Sequence, residues 1–316
     1  MHSQTMVLSR DGVQGDHAGI EREKIAHAMQ QMALEASQAG RVALDTRDAP
    51  GRCPLHAMFA PVGAVSPLLR WSTLVTGLVA YAMFLVTILY AIGFVSGLGV
   101  PKSINSGPSG NPIHAVLIDL ALLGAFAVQH TVMARRGFKR WWTRIIPATM
   151  ERSLFVAAAS AALMVLFWQW RPLPGIIWSV EPGVVHAGLV GISLSGWAIV
   201  FLASFAIDHL DLFGLRQMMQ GFRGAALSQV EFKTAGLYRY VRHPLMVGFL
   251  IAFWVTPVMT AGHLLFATVT TIYILVGTAI EERDLYATLG SKYAKYAREV
   301  PGFIPRFRPV RKARGT

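Results

Sequence analysis

Long windows without a single Lys or Arg alternate with short basic segments along this chain. The apolar windows fall at about 71–96, 113–133, 153–170 and 184–207. Each is long and apolar enough to cross the hydrocarbon core of a bilayer as a helix. A polar connection, 208–243, follows, and then an apolar run, 244–280, interrupted by "TPVMTAGH". At 1.5 Å per residue that last run would reach roughly 55 Å, close to two crossings of a core about 30 Å thick. With Pro257 and Gly262 marking a reversal, it predicts a tight helical hairpin of a fifth and a sixth span. The expected fold is an all-α, polytopic membrane helical bundle of about six transmembrane helices. Residues 1–65 are polar and read as a poorly ordered extension, in which "GIEREKIAHAMQQMALEASQAG" can form one amphipathic helix. Residues 66–207 form a four-span region, and 208–316 a second region that carries the hairpin.

Composition agrees with this pattern: 53% of the residues are hydrophobic and only 15% charged, where an ordinary soluble domain is nearer a quarter charged. The net charge of +12 would suggest nucleic acid in a soluble protein. Here the basic residues sit at alternate span ends, 27 in the segments 1–70, 134–152, 208–243 and 281–316 against two, Lys102 and Arg171, in the intervening loops. That bias predicts both termini in the cytoplasm, with the basic segments against anionic lipid, and no nucleic-acid partner. The start of the chain shows no secretory signal, so the first span would itself direct insertion. A single cysteine, Cys53, excludes an internal disulfide and a Cys-rich metal site. No G-x-G-x-x-G after a strand, P-loop or G-x-S-x-G occurs, so soluble-type nucleotide binding and serine hydrolysis are not indicated.

The topology gathers polar residues from four chain regions at one membrane depth. Gln129 and His130 end the second span; Asp208, His209, Asp211, Arg216 and Gln217 follow the fourth; Tyr238, Arg242 and His243 precede the fifth; Glu281 and Glu282 end the sixth. Ionisable groups near hydrocarbon are costly unless paired or functional, so their convergence predicts a polar pocket open to the cytoplasm. Arg242 and His243 can equally snorkel to headgroups, and Pro244 suits the first position of a helix. Glu281 and Glu282 oppose the dipole of a helix C-terminus, which favours a partner such as Arg242 or a cationic ligand. Asp208, His209 and Asp211 admit a metal site, a loop anchor or a substrate contact; with no second His at i+4, no metal is expected. Asp119, deep in the second span, reads as a structural interhelical hydrogen bond. Tyr293, Tyr296 and Val300 form one apolar stripe of a short C-terminal helix, lying on the membrane surface or capping the pocket.

The motifs "YRYVRHPLMVGF" and "EERDLYATLGSKYAKYAREVPGFIP", separated by the hairpin, resemble the isoprenylcysteine carboxyl methyltransferase superfamily over roughly residues 229–305. Upstream, "QHTVMARRGFKRWWTRIIP", "ERSLFV", "FWQWRPLP" and "DHLDLFGLRQ" extend the likeness toward bacterial methanethiol S-methyltransferases. A denitrification-linked membrane protein family shares part of this upstream pattern. The resemblance implies S-adenosyl-L-methionine bound by the C-terminal region, at His243, Pro244, Leu245 and Met246 with Tyr238 and Glu281, and by the backbone of Val230 to Lys233. Met246 stands where the family often has Tyr, and Thr278-Ala279-Ile280 is apolar where the larger isoprenylcysteine enzymes carry an Arg; the second departure weighs against a prenylated peptide. On this reading Arg242 or His243 pairs with the donor's carboxylate, Glu281 beside Glu282 accepts from its hydroxyls or ammonium, and Tyr238 and Trp254 face the sulfonium. A thiol acceptor must lose its proton; His130, His209 and Asp208 are the candidate bases, with His209 favoured because flanking carboxylates would raise its pKa. A small thiol such as methanethiol suits a pocket beside lipid, its product dimethyl sulfide leaving through the bilayer. A lipid or isoprenylcysteine carboxylate as acceptor, and a non-enzymatic role, are the competing expectations.

Overall fold

A computed structural model describes residues 66–108, 110–227 and 234–305; the expected N-terminal amphipathic helix and the Val230–Lys233 contact lie outside them. Local signals set where the spans begin. Helix α1, Pro67–Ser96, starts at Pro67 after Ser66, whose side chain accepts from Leu69 N–H. Helix α2, Pro112–Ala134, has the same arrangement, with Asn111 Oδ1 accepting from Ile113 and His114 N–H. In both, a short polar side chain caps orphan amides and proline takes the position where its missing N–H costs nothing. A seven-residue helix, α3 (Arg136–Trp142), and the spans α4 (Ala148–Gln169) and α5 (Val184–Ile207) follow. Next come one turn, α6 (His209–Leu212), helix α7 (Leu215–Arg223) and a 3-10 turn, Gly236–Arg239. The chain closes with α8 (Pro244–Trp254), α9 (Ala261–Leu289) and α10 (Ser291–Glu299). Five of the helices are long and apolar enough to cross a membrane, and α8 is a shorter apolar helix. This is an all-α, multi-pass membrane bundle, and its outer face carries the exposed apolar side chains expected toward lipid, among them Val79, Leu89, Leu117, Phe205 and Val276.

The hairpin departs from the expected pair of similar spans. Helix α8 has only 11 residues, whereas α9 has 29. An 11-residue helix rises about 16 Å, so the extended residues 255–260 must cover the remaining distance. They do so as strand β2, Val258–Thr260, paired antiparallel with β1, Ile176–Ser179, from the connection between α4 and α5. The ribbon satisfies backbone groups that hydrocarbon would not, Val180 N–H donating to Pro257 O at 2.9 Å. The buried His263 bonds through Nε2 to Phe253 O at 2.9 Å, serving a carbonyl that the end of α8 leaves free.

The aromatic core gathers at the ribbon end, where Phe94, Phe167, Trp170, Phe253 and Phe266 pack together. Asp119 belongs to this half. It is fully buried, and its Oδ1 accepts from the Arg171 N–H just past α4 at 2.9 Å, so it makes a structural bond as expected but ties a helix to a connection rather than to another helix. The opposite, basic end is built on the tightest helix pair, α5 against α8. A Cβ on Gly196 would lie 2.6 Å from Gly248 O, and one on Gly248 2.6 Å from Gly196 O, so the two backbones touch. Ser193 Oγ donates to Ala252 O at 3.0 Å one turn away. Small residues and a side-chain hydrogen bond are what holds helices together where lipid is as apolar as the core.

Candidate functional site

At the basic end, Pro244 starts α8 immediately after His243, which turns the preceding residues across the end of the bundle. Arg242 Nε donates to Glu282 Oε1 at 2.8 Å, and its Nη1 donates to Ala297 O and Val300 O at 2.8 and 2.7 Å. Nη2 reaches the same Glu282 oxygen at 2.8 Å, as does His243 Nε2. The main chain continues the connection: Arg242 N–H donates to Pro301 O and His243 N–H to Gly302 O. Glu282 therefore finds the cationic partner that its position asked for, and that partner also clamps the last carbonyls of α10. The apolar stripe of α10 turns inward, with Tyr293 and Val300 buried, and the Tyr296 hydroxyl donates to Tyr238 O at 2.7 Å. This face of the helix packs against the segment that carries Tyr238 and Arg242. Burial pushes the Tyr296 hydroxyl up to about 12 and holds that of Tyr238 above the usual phenol range, with the nearby Glu281 and Tyr296 adding to the effect. Both remain proton donors at neutral pH. Leu245 and Met246 are half-buried on the first turn of α8, and Glu281, toward the end of α9, lies beside Tyr238, His243 and Glu282. Trp254 does not join this group. It lies at the other end of α8, where its Nε1 donates to Thr271 Oγ1, so it cannot face a ligand held at His243.

His209 lies at the end of α5 and is 6% exposed. Its ring stacks on Phe205 at 4.2 Å between centroids and tilts against Phe213 at 4.7 Å. Nδ1 is 2.9 Å from Ser204 Oγ, and Nε2 is 2.9 Å from the Tyr81 hydroxyl on α1. Ser204 Oγ donates its proton to Phe201 O, so Nδ1 must carry the hydrogen that Ser204 accepts. Nε2 then bears the lone pair and accepts from Tyr81. The flanking carboxylates face elsewhere. Asp208 pairs with Arg216 and accepts from Asp211 N–H; Asp211 accepts from Gln217 Nε2 at 2.9 Å and lies 4.0 Å from Arg216. The expected upward shift of His209 is thus overturned: burial lowers its pKa, and the imidazole is neutral.

His130 belongs to a third group, on α2. Its Nδ1 is 3.0 Å from the Tyr273 hydroxyl of α9, and its ring packs on Phe155 of α4. Arg152 lies over the same Phe155 and donates from Nε to Leu212 O at 2.9 Å. Gly214, in the left-handed region at φ 81°, sets the adjoining turn against α4, where a Cβ would lie 2.9 Å from Ser153 N. On the other side, Gly236 packs on Ala206 near the end of α5. Arg135 pairs with Asp284 of α9 at 3.1 Å. The predicted residues thus sit in a chain of contacts: His243 and Arg242 to α9, α9 to His130, His130 through Phe155 and Arg152 to the α6 turn, and His209 to α1. Tyr81, Ser204, Tyr273 and Arg152 were not anticipated. Tyr81 and Tyr273 were visible only as hydroxyls among several others inside windows free of Lys and Arg, a weak signal.

Fold and site define an integral membrane protein with a titratable, aromatic-lined polar region at one end of a helical bundle. No family model matches the chain, and no solved structure does. It is 51% identical over 245 residues to Methanethiol S-methyltransferase 1 of Bradyrhizobium diazoefficiens, covering 78% of this chain and 86% of that protein. It is 49% identical over 236 residues to the Methanethiol S-methyltransferase of Mycobacterium tuberculosis, covering 75% and 97%. A more distant likeness, 30% over 175 residues, relates it to mouse Nurim, covering 53% and 66%. At this identity and coverage the protein is a membrane methyltransferase, and its reaction requires a methyl donor. The chain belongs to the methanethiol S-methyltransferase family.

Proposed function

We propose that this chain methylates methanethiol to dimethyl sulfide with S-adenosyl-L-methionine as donor. The observation that carries the reading is near-full-length identity of about half to enzymes named for that acceptor, together with the charged region beside α8. S-adenosyl-L-methionine supplies, when bound, an electrophilic methyl group on a sulfonium. The chemistry of the residues fits it. Glu281, beside Tyr238, His243 and Glu282, suits its hydroxyls or ammonium, and Tyr238 offers a ring and a hydroxyl that stays protonated. Pro244, Leu245 and Met246 provide an apolar floor on the first turn of α8. Arg242 and Glu282 act as the frame rather than as direct ligands, because each already satisfies the other. Positioning contributes most of the rate in such an in-line displacement. His209 takes the thiol proton; Asp208, committed to Arg216, and His130, bonded to Tyr273, are the lesser candidates. We place the basic end and both termini in the cytoplasm of a bacterial inner membrane, from the Lys/Arg bias.

Purified protein in lipid, given S-adenosyl-L-methionine and methanethiol, should release dimethyl sulfide detectable in the headspace. Calorimetric donor binding without thioether from methanethiol would point to another acceptor. No donor binding would overturn the reading entirely.

A further inference from the structure

The His209 ring is buried, stacked on Phe205, and bonded through both nitrogens, so no incoming thiol reaches it without first displacing a partner. The Nδ1 hydrogen is fixed by the Ser204–Phe201 relay, which leaves Nε2 as the only proton-accepting atom. The group on Nε2 is the Tyr81 hydroxyl, and Tyr81 is half-buried where His209 is closed. Phe84 and Phe213, stacked at 3.8 Å, stand against the Tyr81 ring. These aromatic neighbours are apolar and suit a methyl group, while the hydroxyl is a polar point suited to a thiol. The last turn of α5 carries Ser204 and Ala206, and Ala206 supports Gly236 of the turn that bears Tyr238. The end of α5 thus contacts both the His209 ring, through Ser204, and the turn that bears Tyr238, through Ala206.

We propose that Tyr81 is a catalytic residue that touches the acceptor thiol and relays its proton to His209. The inference rests on the thiol-methylation reading given above. In the step, the S–H bond breaks and its proton goes to Tyr81 Oη, while the Tyr81 proton moves to His209 Nε2. The sulfur electron pair forms the new bond to the donor methyl carbon. The pair of the broken carbon–sulfur bond stays on the donor's sulfur, and the imidazolium then returns its proton to water. Ser204 is a positioning residue that sets the His209 tautomer.

The test is the pH profile of methanethiol methylation, pH 7 to 9, for the full chain in lipid and for its Tyr81→Phe and His209→Gln variants. Gln keeps an acceptor for the Tyr81 hydroxyl and cannot take a proton. Wild type should be nearly flat. Each variant should lose about 100-fold at pH 7, within the range of general-base catalysis. It should then regain about tenfold per pH unit as solution supplies thiolate, a thiol being un-ionised at neutral pH. Parallel profiles, or Tyr81→Phe at wild-type rate, would overturn the relay while leaving the methyltransferase reading standing. An inactive wild type would sink that reading and the relay with it. Donor binding by calorimetry verifies that each variant is folded; where Tyr81→Phe fails to fold, the His209→Gln profile decides.

Discussion

Arg242 shows how a single side chain changes meaning between sequence and structure. As a basic residue beside an apolar run it suits a headgroup or a ligand carboxylate. In the folded chain its guanidinium meets one carboxylate and two helix-end carbonyls, the forked recognition that Arg alone supplies. Both members of the pair are largely shielded, with side chains 15% and 22% exposed. Glu282→Ala strands the guanidinium without its counter-ion, and unfolding in detergent should show a loss of about 3 kcal/mol. His209 gives a second expectation. Its folded pKa lies below the ordinary value, so the folded chain holds fewer protons on it than the unfolded one. The stabilising contribution is complete above the unfolded pKa, about 6.5, and is lost as pH falls through the lowered folded value. Melting temperatures measured from pH 7.5 to 5 should fall more steeply for wild type than for His209→Gln.

At the scale of elements, the spans α1, α2, α4 and α5 were legible because one physical rule, avoidance of charge in hydrocarbon, writes itself directly into the sequence. The 184–207 span matches to the residue, and the others shift by a few residues, α4 starting five earlier at Ala148 because a helix can run past the hydrocarbon into the interface. The hairpin was half legible. Its length and its return of Glu282 to Arg242 follow from the apolar run, but the division into an 11-residue helix, a strand and a 29-residue helix does not. That division goes with β1, some 80 residues upstream, the strand with which β2 pairs; pairing at such separation leaves no periodic trace. Trp254 was misplaced for the same reason. Among the candidate site residues, the polar clustering of His243, Glu282 and His209 was legible from their chemistry, whereas a partner such as Tyr81 was not, since it lies 128 residues from His209. The α5–α8 crossing carries its own expectation. Gly248→Val must push a side chain into the backbone of Gly196 and into Val200. It should cost about 1–3 kcal/mol and lower donor affinity more than Gly124→Val on α2, where a Cβ meets nothing within 4 Å.

Within the described residues, the aromatic core and the ribbon occupy one end and the Arg242, His209 and His130 groups the other. At the ribbon end the two strands pair through their backbones, and at the basic end the Arg242 side chain and the Arg242 and His243 amides tie the start of α8 to the C-terminal residues. The proposed orientation puts Arg140 inside and Glu181 outside, both exposed. In a Cys53→Ser background, Glu181→Cys should react with a membrane-impermeant maleimide in spheroplasts. Arg140→Cys should react only after permeabilisation. The reverse pattern would invert the assignment of the basic end.

The brevity of α8 also bears on how the protein is made. A segment of 11 apolar residues falls well short of the ~20 that commit a nascent helix to the bilayer. As it leaves the ribosome, α8 has no independent claim on the membrane and must wait until α9 has been synthesised, the two entering together. Chains halted by an early stop codon between Trp254 and the end of α9 would strand α8, and Arg242 and His243 with it, in water. Quality control would then meet a protein whose first four spans are sound and whose basic end was never assembled.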